Sequence, residues 1–183
     1  MTARHGARLA WAVETLDVAP SERLLEIGCG QGLAVSLLCE SESIGSITAI
    51  HRSKPMIDQA VRRNREDVDS GRATFHAVRL ADAAFIRERF DKAYAINVRL
   101  FRTDPAREAD VLGRLLEPRA ALYLFQQHPS AERTRAATDE LALALEAHGF
   151  ALPELKACGA GDTLMTCLIA AHPAREERIR AAW

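Results

Sequence analysis

No stretch of this 183-residue chain approaches the roughly 20 consecutive apolar residues that a membrane-crossing helix requires. The opening segment MTARHGARLAWAVE has no apolar centre followed by a small-residue cleavage site, so a cytoplasmic location is expected and a secreted one is not. Charge of neither sign dominates. Lys and Arg number 24 against 25 Asp and Glu, a formal net charge of -1, which provides no general field to attract nucleic acid or an anionic membrane. The four cysteines, Cys29, Cys39, Cys158 and Cys167, form no C-x-x-C pair and lie near no histidine at metal-ligand spacing. That pattern excludes a recognisable zinc site and favours small buried side chains in a reducing compartment. Repeats, low-complexity segments and an internal linker are also missing, so one buried core is expected over residues 1–172, followed by a charged tail at 173–183.

What is present is a regular alternation of two periodicities. Leu9, Ala12, Val13 and Leu16 recur at helical spacing, which predicts an amphipathic helix over 4–16, within an N-terminal lid at 1–17. RLLEI (23–27) is a short apolar run ending in glycines, as a buried parallel strand should, and QGLAVSLLCE continues as a helix. The unit repeats with strand SITAI (46–50) and a helix over 54–69. A third strand (73–78), a loop and short helix (80–89) and a fourth strand (91–97) follow. Asp104-Pro105 has the form of an N-cap with proline at the first helical position. A fifth strand (120–126) and a helix (131–148) lead to two strands near 154–158 and 163–171, whose short GAGD connection implies antiparallel pairing. The expected fold is therefore α/β: a doubly wound, mostly parallel seven-stranded sheet with an antiparallel C-terminal hairpin strand and helices on both faces.

In such a sheet ligands lie across the carboxyl ends of the strands, near the point where strand order reverses. LLEIGCGQG places Gly28, Gly30 and Gly32 in a tight turn there, where side chains would keep a ligand from the backbone. The spacing is G-x-G-x-G, unlike the G-x-G-x-x-G of a dinucleotide fingerprint. Glu26, just before the turn, would repel a pyrophosphate but can accept from a cationic ligand's amino group. The end of the second strand has no ribose-binding acid; His51 and Arg52 stand in its place.

These segments together resemble the class I S-adenosylmethionine-dependent methyltransferases over nearly the whole chain. LLEIGCGQG is similar to the first motif of that family, ITAIHRSKPMIDQA to its second-strand segment and FDKAYAINV to its fourth strand. The resemblance implies S-adenosylmethionine as cofactor and methyl transfer to an acceptor, and the lack of a basic field favours a small-molecule acceptor over nucleic acid. It implies that Glu26, Cys29 and the backbone of Gly28, Gly30 and Gly32 lie against the methionine part of the cofactor. By the same resemblance His51 and Arg52 occupy the ribose position, Met56 or Ile57 flanks the adenine, and Asn97 marks where backbone meets the cofactor's amino group. Asp82 falls near an adenine-contacting acid of the family, although a gapless reading puts Ala81 there.

Departures from the family pattern narrow the reading. The acid after strand two is absent, EPRA (117–120) replaces a frequent x-P-G-G, and no N-P-P-Y follows strand four, which argues against methylation of nucleic-acid amines. The basic and hydroxyl residues of HRS are also how a dinucleotide fold accommodates a 2′-phosphate, which would make an NADP-dependent reductase. The glycine spacing opposes this, and no Tyr-x-x-x-Lys pair is present. A degenerate, non-catalytic methyltransferase-like domain is the remaining alternative. His128 follows strand five on the acceptor side, as a general base would, though HPS before a helix is equally a turn sequence. His5 and Trp11 lie on the expected lid.

Overall fold

The computed structural model describes residues 3–40, 44–151 and 154–171. Seven strands form one sheet: β1 (Arg23–Ile27), β2 (Ser46–Ile50), β3 (Ala73–His76), β4 (Phe90–Ile96), β5 (Leu116–Gln126), β6 (Glu154–Cys158) and β7 (Met165–Ala171). Their order across the sheet is β3-β2-β1-β4-β5-β7-β6. Strands β1 to β5 pair in parallel, and β7 runs antiparallel to both of its neighbours, β5 and β6. Strand order reverses between β1 and β4, and the crevice at their carboxyl ends is where a ligand fits this topology.

The helices cover both faces of the sheet, because each strand alternates its side chains between two apolar layers. One layer joins Leu24, Ile47, Tyr94 and Phe125 to α1 (Ala3–Leu16), α2 (Leu33–Cys39) and α3 (Lys54–Arg63). The other joins Leu25, Ile50, Ala95 and Leu124 to α5 (Pro105–Leu115) and α6 (Ala131–Ala147). A one-turn helix, α4 (Arg65–Asp69), precedes β3. Among the described residues no helix is long and apolar enough to cross a membrane.

Three local features of these elements have physical causes. The helix expected over 54–69 breaks at Asn64, whose backbone is no longer helical (φ -105°, ψ 34°) and whose buried amide is committed to other bonds. The short helix expected within 80–89 is a 3-10 helix at Leu80–Phe85, anchored by buried Leu80 and Ala83. Helix α5 ends at Leu115, ahead of Pro118, and β5 begins at once. Leu116 pairs with Phe90 and Ala121 with Lys92, so residues 117–120 bulge from the ladder where Pro118 has no N–H to donate.

Helix α1 is part of the helical layer, with Leu9, Ala12 and Leu16 buried and Trp11 packed edge-on against Phe125 at 5.6 Å between ring centroids. The side chain of His5 and the 173–183 tail fall outside the described residues.

Candidate active site

The glycine turn is pinned from both sides, and its three glycines do different things. Gly28 and Cys29 both donate their N–H groups to the carbonyl of Ile50, at 2.8 and 3.1 Å, which ties the turn to the end of β2. A side chain at Gly28 would run into Val98, beyond the end of β4, at 2.4 Å. One at Gly32 would meet Asn64 Nδ2 at 2.6 Å and the backbone of Ala60 at 3.2 Å. Gly30 differs, since nothing lies within 4 Å of where its Cβ would be. All three have positive φ, so backbone conformation also favours glycine. Gly28 and Gly32 are thus required by the protein's own packing, and Gly30 alone borders open space.

Asn64 is the strut beneath this turn. It is 2% exposed, its Nδ2 donates to the carbonyls of Gly32 (3.1 Å) and Ala60 (2.8 Å), and its Oδ1 accepts from the Ser36 hydroxyl at 2.7 Å. The sequence places this residue on the apolar face of a helix, and an amide in an apolar stripe was the available sign that it had a polar task.

Glu26 lies below the turn, 4% exposed. Burial pushes its carboxyl from an ordinary 4.5 up to about 7, partly offset by the facing Tyr94 hydroxyl. That hydroxyl is close enough to act on the carboxylate but is not in hydrogen-bonding geometry, so Glu26 Oε2 and Tyr94 Oη both stay without a partner. The pairing follows from register, since Glu26 is opposite Tyr94 in the β1–β4 ladder. Burial raises the Tyr94 phenol and also the Cys29 thiol, which makes Cys29 a neutral packing group and no nucleophile.

At the end of β2 the His51 ring is half-buried, and its Nδ1 accepts from the Ser53 N–H at 3.0 Å. The neutral ring then carries its proton on Nε2, leaving one outward donor. Arg52 is exposed, Met56 half-buried, and Ile57 sunk in the core at 6% exposure, so Met56 is the one of that pair with surface to offer. Asp82 is exposed and pairs with Arg107 in the first turn of α5 at 3.2 Å, and Arg107 also donates to the Ala81 carbonyl at 2.7 Å.

The ends of β4 and β5 are clasped together. Asn97, in left-handed conformation (φ 56°), accepts from the Gln127 N–H at 2.7 Å and donates to the Gln127 carbonyl at 3.0 Å. Its side chain is therefore spent on the protein, and its N–H bonds the Phe125 carbonyl at 2.9 Å. His128 is half-buried, with Nε2 3.1 Å from Gln126 Oε1 and its N–H on the Thr134 hydroxyl at 3.0 Å. Tyr94, Asn64 and Gln126 were not singled out by their sequence context; strand register and helix packing give them their roles.

The turn, the buried carboxylate and the clasped strand ends thus converge at the topological switch point. A family model described as a methyltransferase domain matches residues 24–119, a little over half of the chain. The O-methyltransferase resE of Aspergillus sclerotiorum is 27% identical over 124 residues, covering 68% of this chain, which spans only 44% of that protein's length. The methyltransferase domain of bacterial CtHen1 superposes with a TM-score of 0.74 at 18% identity, over 93% of this chain and all of that one. The [4+2]-cyclase SpnF superposes with a TM-score of 0.73 at 18% identity, over 91% of this chain and 80% of that chain. At such identities the structural likeness speaks for fold alone. Motif order, strand topology and the family match agree: the chain belongs to the class I S-adenosylmethionine-dependent methyltransferase family.

Proposed function

We propose that the chain binds S-adenosylmethionine and transfers its methyl group to a small-molecule acceptor by in-line displacement. The observation that carries this is the orphaned Glu26 Oε2 under a turn that leaves open space at Gly30. A buried carboxylate without a partner is costly. A ligand whose ammonium group reaches it, with its chain lying against Gly30, removes that cost. The residues present fit the methionine end of the cofactor in this way, and on this reading the nucleoside lies along half-buried His51 and Met56.

Bound, the cofactor supplies an electrophilic methyl carbon; the protein supplies alignment and exclusion of water. The Asn97–Gln127 clasp holds the β4 and β5 ends as one rigid rim on the acceptor side. His128 on that rim is the candidate to take a proton from an acceptor hydroxyl or amine. Its Nε2, facing Gln126 Oε1, carries the hydrogen, which leaves Nδ1 as the basic atom. The near-balanced charge favours a small acceptor over a nucleic acid.

Calorimetric titration with S-adenosylmethionine, S-adenosylhomocysteine and NADPH tests the reading. Binding of either sulfur nucleoside is expected, and binding of NADPH alone would overturn it in favour of a reductase. A second reading, that the domain binds these nucleosides without transfer, is favoured by His51: one imidazole donor cannot hold both ribose hydroxyls. It is kept in view by the cyclase of the same fold. On either reading His51→Asp is expected to tighten S-adenosylhomocysteine binding about tenfold or more, by supplying a charge-assisted contact, while methyl release from S-adenosylmethionine in the presence of an acceptor separates transfer from binding alone. Unchanged affinity would show that residue 51 does not face the ribose.

A further inference from the structure

Strand β6 forms one edge of the sheet, with β7 as its neighbour on the inner side. All five of its residues, Glu154–Cys158, are exposed, those facing either side of the sheet alike. In an antiparallel ladder alternate residues turn their N–H and C=O groups toward the partner, so β6 directs the remaining donors and acceptors outward. Such an edge is a template for another strand unless its side chains oppose pairing, and an edge lysine such as Lys156 commonly does so. Whether it opposes pairing here depends on which residue an added strand sets against it.

The ladder to β7 gives the two faces of β6 different chemistry. Leu155 is opposite Leu168, which belongs to the layer holding α5 and α6. Glu154 and Lys156 are opposite Ile169 and Cys167, on the side of the layer holding α1. Leu155 is 58% exposed, one of three large apolar side chains so exposed among the described residues. Neither Glu154 nor Lys156 forms an ion pair with a described residue. An acid, an exposed leucine and a base thus stand unspent in succession along a free edge.

A second copy of the chain is the strand these residues match. Identical chains most often associate about a two-fold axis, across which one patch meets itself. A two-fold normal to the sheet makes two β6 strands antiparallel and keeps paired side chains on one face, so that one residue lies opposite its own copy. Centred on Glu154 or on Lys156, the pairing sets like charges against each other, which is unfavourable. Centred on Ala157 or on Cys158, it sets neither charge against its opposite. Centred on Leu155, it sets Glu154 against Lys156 of the second copy and Lys156 against Glu154 of the second copy. The two exposed leucines then cover each other on the opposite face. Of the five registers, that one alone is self-complementary.

We propose that the chain forms a two-fold dimer by antiparallel β6–β6 pairing centred on Leu155, which joins the two seven-stranded sheets into one. The inference stands apart from the methyltransferase reading. In the sheet order β6 is the third strand beyond β4, so the pairing leaves the crevice between β1 and β4 open in both copies. A five-residue edge is smaller than a standard interface, which places the dissociation constant at roughly 1–100 μM.

Sedimentation equilibrium of the whole chain over a concentration range of roughly 1–300 μM tests this. The parent should pass from monomer to dimer across that range. Glu154→Lys and Lys156→Glu, each alone, put like charges opposite and should weaken the dimer about tenfold or more. Mixed in equal amounts, the two variants are complementary, one edge bearing two acids and the other two lysines, and should form a heterodimer about as tight as the parent dimer. Both positions are exposed, so neither change threatens the fold. A parent that stays monomeric throughout, single variants that dimerise like the parent, or a mixture that stays monomeric would each overturn the proposal.

Discussion

Glu26→Gln is expected to make the protein more stable at pH 8 and, at the same time, poorer at holding its cofactor. The buried carboxyl titrates at about 7 in the folded chain against an ordinary 4.5. Between those values the folded state keeps a proton that the unfolded chain has lost. The stabilisation is complete below the lower value and is lost as pH rises through about 7. At pH 8 the ionised, buried carboxylate costs about 3 kcal/mol relative to a group whose pKa does not shift. Glutamine has nearly the same shape and no charge to desolvate. The variant should match the parent near pH 5 and exceed its melting temperature at pH 8 by roughly 6–12 °C. It should also bind S-adenosylhomocysteine more weakly, because the ammonium loses its counter-charge. Thermal melts at the two pH values check the first half and calorimetry the second. A parental decline in stability with pH that survives in the variant would assign that titration to another group.

Such a trade is what a binding site produces: a group left unsatisfied in the empty protein is available to a ligand. Even the half-exposed Arg23 has two partners within the fold, Asp91 and Glu117 at the base of the sheet, which the buried Glu26 Oε2 lacks.

Gly32→Ala and Gly30→Ala should fail in opposite ways. At Gly32 the new methyl group meets Asn64 Nδ2 at 2.6 Å and the Ala60 backbone at 3.2 Å, in a left-handed conformation. Neither neighbour can give way easily, because Asn64 is held by three hydrogen bonds and Ala60 belongs to helix α3. We expect a loss of about 2–4 kcal/mol. In a chain of this size that is a fall of roughly 5–15 °C in melting temperature. At Gly30 the methyl group meets nothing, so the cost is conformational only, about 1 kcal/mol. The fold should survive while cofactor affinity falls about tenfold or more, because the methyl fills the approach to the backbone. Differential scanning calorimetry and ligand titration on the two variants separate the roles. If Gly32→Ala melted like the parent, or Gly30→Ala bound like it, the division of labour in the turn would be wrong.

The family, the layering of helices on a sheet and the position of the site were legible in the sequence for reasons internal to short segments. Apolar alternation and helical spacing are local properties, a glycine turn between strand and helix is a local signal, and Asp104-Pro105 caps α5 as its residue types require, with Asp104 accepting from the Arg107 N–H. What each site residue does was a different matter. The sequence gives Asp82 no partner, and α5 brings Arg107 beside it; it assigns the Asn97 side chain no task, and β5 brings Gln127 into its reach. Nothing near Glu26 in sequence predicts that its counterpart is Tyr94, 68 positions on, because only the β1–β4 register sets them opposite each other.

The sequence by itself thus determined the fold class, the family and the place of the glycine turn at the strand ends, since these follow from periodicity and turn chemistry within a few residues. Only the tertiary structure decided which of three glycines borders open space and which buried polar atoms are left without partners. Packing clearance and hydrogen-bond satisfaction depend on residues far apart in the chain, which no local pattern encodes.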